Sequence, residues 1–273
     1  MGNEQSSINN TIKIGVIGLE KCGKSTLLTK LIGQDIILTS CNQSTNILIA
    51  NTMSKNPELI SHNTIIGQGV EDINDAFKKI TLYAEYSDIL TLKTKIKSLY
   101  DINSNTIQFY DTIGLELIKN SKGKIVTDIV MKCEVILYVL NFQDLVYDVI
   151  FRHYKLLKKH NKKVYIIVSH IDLFAKNAEY NSNMKIKNMI LNKYMENDIK
   201  LNPDDIIPLN LLGIDDDDGS FATLVNIINN LKIELENMKL KRRLDDVEFF
   251  QNGQIVNGLF GAGVSIISSI VKR

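Results

Sequence analysis

Eight residues near the start of the chain, Gly18-Leu19-Glu20-Lys21-Cys22-Gly23-Lys24-Ser25, fit the pattern G-x-x-x-x-G-K-[ST] at every fixed position. Gly18 and Gly23 let the backbone curl, so that successive N–H groups of Leu19, Glu20, Lys21 and Cys22 turn inward. With the N-terminus of the following helix, which starts Lys24-Ser25-Thr26, they form a nest for the α- and β-phosphates of a nucleotide. Lys24 reaches the β- and γ-oxygens as a point charge, and the Ser25 hydroxyl ligates Mg²⁺. The expected ligand is therefore a nucleoside triphosphate with its magnesium ion.

Other positions extend this chemistry. Asp111-Thr112-Ile113-Gly114 directly follows an apolar run, Thr106–Tyr110. Asp111 is placed to hold Mg²⁺ through water, and Gly114 to offer its N–H to the γ-phosphate. Thr45 abuts the strand Asn46–Ala50 and is the favoured threonine to close over Mg²⁺, with Thr39, Ser40, Ser44 and Thr52 as competitors. Ser169-His170-Ile171-Asp172 follows another apolar run. Asp172 stands where a carboxylate would accept from guanine N1–H and N2–H₂, and adenine would leave such a carboxylate unpaired. Near Pro208-Leu209-Asn210-Leu211, a backbone N–H is expected to reach the base carbonyl.

These groups need a scaffold. Apolar runs at Ile12–Ile17, Asn46–Ala50, Thr106–Tyr110, Val135–Leu140, Val164–Val168 and Ile206–Leu209 read as strands. Helical spacing appears at Lys24–Ile32, Val146–Lys159, Met184–Asn197 and Phe221–Met238, and Ala76–Ile102 is expected to be mostly helical. Residues 51–75 give no clear pattern. Strands that are apolar on both faces, alternating with helices, predict a three-layer α/β domain around a mainly parallel sheet. The expected organisation is a polar tail over 1–11, a nucleotide-binding domain over 12–238, and a helical apolar tail over 239–273.

Composition narrows the partners. A hydrophobic fraction of 44% in 273 residues supports a substantial core. Lys+Arg (32) nearly cancels Asp+Glu (31), so no basic field marks a nucleic-acid binder. Cys22, Cys41 and Cys133 form neither a CxxC nor a zinc pattern, which fits a reducing compartment. No charged-then-apolar leader opens the chain, and a cytoplasmic location is expected. Four adjacent carboxylates, Asp215 to Asp218, read as a solvated turn. Arg152 is the only arginine before residue 242, which argues against a kinase with an arginine-bearing lid.

In this order, GKS at 23–25, Thr45, DTIG at 111–114, SHID at 169–172 and PLNLLG at 208–213 resemble the GTPase domain of the translation-factor-related P-loop class. Within it the chain looks most like dynamin-like GTPases, with immunity-associated and immunity-related GTPases as runners-up. Three features carry this: GKSTLLTKLIG at 23–33, the long insert before DTIGL, and the stretch Val135–Phe174. The resemblance implies GTP/GDP as ligands, GTP hydrolysis, action on the cytosolic face of a membrane and a homodimer through the nucleotide face. It also locates departures. The usual [NT]-K-x-D reads Ser169-His170-Ile171-Asp172, with a histidine in place of the lysine that packs under the base. Leu115 occupies the position of the water-orienting glutamine of Ras-like proteins. Lys21 is the candidate to stabilise charge at the β–γ bridge, with a solvated loop tip as the alternative. Slow or assembly-dependent turnover is the expectation, and a nucleotide switch with negligible hydrolysis is its rival.

Both chain ends raise a membrane question. Met1-Gly2-Asn3-Glu4-Gln5-Ser6 fits the myristoylation pattern, and equally a polar tail. Residues 249–271 are mostly apolar, and on a helix they present a broad apolar face. The run is marginal for a full span of about 20 apolar residues. An interfacial segment or a helix packed against protein are the two readings.

Overall fold

The computed structural model describes residues 11–36, 38, 46–52, 54, 56–80, 89–97, 107–115, 121–171, 182–211 and 219–231. In chain order, β1 (Ile12–Ile17) leads through the glycine loop into α1 (Lys24–Ile32). Then come β2 (Asn46–Asn51), β3 (Glu58–Ser61), β4 (Thr64–Gln68), α2 (Val70–Ile80), β5 (Ile89–Thr94) and β6 (Ile107–Asp111). The rest comprises α3 (Ser121–Lys132), β7 (Val135–Asn141), α4 (Asp148–Lys159), β8 (Lys163–Ser169), α5 (Asn183–Met195) and β9 (Ile206–Pro208), and residues 220–231 are helical. The chain divides into two units, Met1–Asn229 and Asn230–Arg273, and the first carries the sheet and the site.

One nine-stranded sheet runs in the order β4-β3-β5-β2-β6-β1-β7-β8-β9. From β6 to β9 every neighbour is parallel. β2 turns antiparallel against β6 and carries β5 in parallel, and β3 and β4 complete that wing antiparallel. The central strands β7 and β8 have no exposed residue, as a sheet sandwiched between helix layers requires. This matches the expected mainly parallel α/β architecture.

The expectation for Ala76–Ile102 is corrected. Helix α2 ends at Ile80, and Ile89–Thr94 is a strand. Leu90, Leu92 and Thr94 are buried and alternate with Ile89, Thr91 and Lys93, a period of two, because β5 lies between β2 and β3. Within the unassigned stretch 51–75 the chain forms the β3–β4 hairpin. Its two turn residues, His62 (φ 48°) and Asn63 (φ 64°), both take positive φ, the twist a two-residue hairpin needs.

The core on one side of β7 and β8 holds an aromatic group. Tyr194 meets Phe151 and Tyr154 edge-on, with ring centroids 5.0 and 5.3 Å away. The Tyr194 hydroxyl is buried without a hydrogen-bond partner among the described residues, and burial pushes its pKa well above the usual phenol value. Tyr194→Phe removes that orphan group and keeps the ring contacts. The variant should gain about 1 kcal/mol of stability, a Tm rise of roughly 2–4 °C. A lower Tm in thermal denaturation would mean the hydroxyl has a partner.

Candidate functional site

The site forms at the carboxyl ends of β1, β6, β7, β8 and β9, where the loops of a parallel sheet converge. Gly18 leaves β1 with φ 156° beside the neighbouring strand, and a Cβ there would lie 2.1 Å from the Val139 carbonyl oxygen. No side chain fits, so the close passage of loop against β7 requires glycine. Gly23, with φ 97°, caps the start of α1, and its carbonyl accepts the first helical bond from Leu27 N–H at 2.9 Å.

Lys24 points back into this loop and is only 7% exposed. Its ammonium donates to the carbonyl oxygens of Leu19 (2.6 Å) and Gly18 (3.2 Å) and lies 3.8 Å from the Cys22 thiol. Cys22 and Leu19 are buried under the loop, Glu20 is half-buried, and Lys21 is exposed at the tip with φ 59°. Thr26 is half-buried in the first turn of α1.

Ser25 and Asp111 are 86 residues apart in sequence, and the Ser25 hydroxyl donates to Asp111 Oδ2 at 2.7 Å. Asp111 is buried, and its other oxygen, Oδ1, has no partner among the described residues. Burial drives its pKa up to about 6, against the pull of the Ser25 hydroxyl and the Lys24 ammonium. A buried carboxylate with a spare oxygen, beside a serine hydroxyl, suits a small hard cation. No cluster of three or more His, Cys, Asp or Glu occurs among the described residues. The hydroxyl and carboxylate oxygens of the Ser25–Asp111 pair fit Mg²⁺, which takes one or two protein ligands and completes its shell with water and phosphate.

The segment after Asp111 is clamped. Thr112 donates its hydroxyl to Val16 O at 2.9 Å, Ile113 N–H donates to Asn46 Oδ1 at 3.1 Å, and Leu115 N–H donates to Gly18 O at 3.1 Å. Gly114 is held between these anchors. Asn46 was not singled out from the sequence, and its signal is a buried polar residue opening an otherwise apolar strand. The Leu115 side chain is buried in the core and carries no polar atom.

The loops after β8 and β9 press on the phosphate loop from the other side. Ser169 is buried and its hydroxyl lies 2.6 Å from the Cys22 carbonyl and 3.2 Å from that of Leu140. His170 Nδ1 stands 2.8 Å from the same hydroxyl. The hydroxyl proton goes to the close Cys22 carbonyl, which leaves Oγ with acceptor capacity toward the imidazole. His170 also takes φ 58°, a left-handed backbone uncommon outside glycine and asparagine. Leu211 reaches the loop too: a Cβ on Gly23 would meet its Cδ1 at 3.0 Å. The Asn210 carbonyl accepts from Lys30 Nζ at 3.3 Å, and that ammonium sits 4.9 Å above the Phe221 ring. Thus Gly18 to Ser25, Asp111, Gly114, Ser169, His170, Asn210 and Leu211 come together, while Thr45 and Asp172 lie outside the described residues.

A strand, a glycine loop closed on a buried lysine, a helix, and a carboxylate at the end of the adjacent parallel strand define a P-loop G-domain fold. The family model described as the dynamin family matches residues 14–172, more than half of the chain, and the chain belongs to that family. Two solved structures of an oligomerised bacterial dynamin pair, described as a mechanism for the long-range sensing and tethering of membranes, share the fold. They match with TM-scores of 0.55 and 0.56 at 13% and 14% identity, over 97% and 92% of this chain and 48% and 44% of theirs. The chain therefore spans about half the length of those bacterial dynamins. No curated protein matches the sequence.

Proposed function

We propose that this chain binds GTP and GDP with Mg²⁺ and hydrolyses GTP at a low intrinsic rate, raised by self-association, at a membrane surface. The observation that carries the reading is the Ser25–Asp111 pair at 2.7 Å beside the closed phosphate loop, with one carboxylate oxygen to spare. Lys24 exchanges the Gly18 and Leu19 carbonyls for β- and γ-phosphate oxygens. Ser25, Thr45 and Asp111 would hold Mg²⁺, which would supply charge neutralisation at the phosphates. The Gly114 N–H faces the γ-phosphate, with Lys21 contributing positive charge from the loop tip. Asp172 reads the guanine edge, His170 packs under the base, and an Asn210 or Leu211 N–H meets its carbonyl.

Dynamin-family membership supports nucleotide turnover, and the bacterial dynamin pair, described as oligomerised and as sensing and tethering membranes, supports a membrane setting with self-association, for which the nucleotide face is our proposed surface. We assign the GTPase domain to 12–238 and membrane contact to Gly2 and residues 249–271, which lie outside the described residues. No helix among the described residues is long and apolar enough to cross a membrane; for residues 249–271 the mode proposed is interfacial attachment.

The test is equilibrium binding of labelled GTP, GDP and ATP with Mg²⁺ to wild type and Asp172→Ala. Wild type should prefer guanine nucleotides at least tenfold, and Asp172→Ala should lose that preference while keeping the phosphate contribution. Equal binding of ATP by wild type removes the guanine assignment. A second reading, a switch that barely hydrolyses GTP, is favoured by the burial of Leu115, whose side chain cannot orient water. Single-turnover hydrolysis at rising protein concentration separates the two: a rate that climbs supports assembly-supplied catalysis, and a flat, negligible rate supports the switch.

A further inference from the structure

Behind the phosphate loop, a cavity of about 90 Å³ opens between α3 and α4. Its apolar lining comes from Ile17, Leu115 and Val126, with Val130, Leu156 and Leu157. Among the described residues, the lining groups that carry or can take up charge are His153, His160 and Lys162. Two large apolar side chains stand exposed here: Leu156, which lines the cavity, at 52%, and Met131, also in the lining, at 45%. Lys162 is fixed by donating to the carbonyls of Met131 and Cys133, both at 2.7 Å, at the C-terminal end of α3. Its charge is thereby held at the cavity.

We propose that this cavity binds a single aliphatic chain carrying an anionic head, a ligand of the fatty-acid class. An apolar cavity of roughly 150 Å³ takes up benzene and stays dry without it. One of about 90 Å³ open to solvent takes a segment of an alkyl chain instead. The apolar lining accounts for the chain. The Lys162 ammonium held at the cavity, with His153 and His160 beside it, accounts for the anion, because a cationic amphiphile would meet like charge there. The exposed Leu156 and Met131 give the emerging part of the chain apolar surface to follow.

The proposal is independent of nucleotide, so the test uses the full chain without nucleotide and a polyene fatty acid whose fluorescence rises in apolar surroundings. Saturable one-to-one binding is expected, displaced by octanoate, decanoate and dodecanoate. Affinity should grow about fourfold per added methylene until the slot is full and then level off. Leu156→Glu places a carboxylate at the cavity on a side chain already half exposed, so the variant should keep its melting temperature and lose at least tenfold in affinity. His160→Glu should weaken binding in the same direction. Dodecyltrimethylammonium should displace the probe at least tenfold less well than dodecanoate. Absent or non-saturable probe binding, an affinity unchanged in Leu156→Glu, or equal displacement by the cationic amphiphile would each overturn the proposal. Lys24→Ala, which alters the phosphate loop, should bind the probe as wild type does, so failure of the GTPase reading is read separately.

Discussion

Asp111→Asn should make the nucleotide-free protein more stable at pH 8 while it loses Mg²⁺-dependent GTP binding. Burial raises the Asp111 pKa from 3.8 unfolded to about 6 folded. The folded state therefore holds its proton more tightly than the unfolded chain. Stability from this group is fully present below about pH 4, declines as pH rises through about 6, and is then lost. The full difference corresponds to about 3 kcal/mol. An asparagine keeps an acceptor for the Ser25 hydroxyl and carries no charge to desolvate, so at pH 8 it should recover about 1–3 kcal/mol. The same substitution removes the carboxylate proposed to hold Mg²⁺. GTP with Mg²⁺ should stabilise wild type against heat by mass action and leave the variant nearly unaffected. Melting curves from pH 4 to pH 8, with and without Mg²⁺ and GTP, check both halves. A wild type and variant with parallel pH profiles would show that Asp111 is not a desolvated carboxylate, and equal stabilisation by nucleotide would remove it from the metal set.

The parts of this site that were legible in the sequence are those where chemistry demands fixed residues at short spacing. The phosphate loop is one piece of chain, and its glycines are needed because the Val139 carbonyl lies 2.1 Å from where a Gly18 Cβ would stand. Asp111, Ser169 and His170 were legible because each follows an apolar strand that announces itself. What stayed hidden depends on pairings across the sheet. β5 reads as ambiguous until it is seen between β2 and β3, and the β3–β4 hairpin turns on His62-Asn63 in place of a glycine-bearing signal. Asn46 gains its role only when β2 pairs antiparallel with β6 and brings its carboxamide to Ile113. The Leu115 position was visible as a missing glutamine. Its burial, which turns it from an absent catalyst into a core residue, comes from packing.

Lys24→Ala should abolish most nucleotide affinity for GTP and ATP alike, and that equality is the informative part. In the free protein the ammonium satisfies the Leu19 and Gly18 carbonyls from within the loop, so it is already desolvated and aimed where phosphate oxygens would arrive. Binding then exchanges two neutral acceptors for charged ones without a new desolvation cost, which makes each contact strong. Truncating one partner of such a buried charged pair costs roughly 2–5 kcal/mol, or about 30- to several thousandfold in affinity. Lys24→Arg should not restore binding, because a planar guanidinium is wider than the ammonium that the closed loop surrounds. The nucleotide-free variant should stay folded, since Gly18 O still accepts from Leu115 N–H and the loop keeps its glycine-determined course. Titrations of labelled GTP and ATP set beside those of Asp172→Ala then divide the site into two functions. Lys24→Ala should lower both affinities by one factor, as the phosphate-reading role proposed for it requires, while Asp172→Ala should change their ratio, as its proposed base-reading role requires. GTP affinity of Lys24→Ala within threefold of wild type would place the nucleotide somewhere other than this loop. A selective loss of GTP would mean that the lysine acts through the base side, by way of the Ser169–Cys22 contact that joins the two halves of the site.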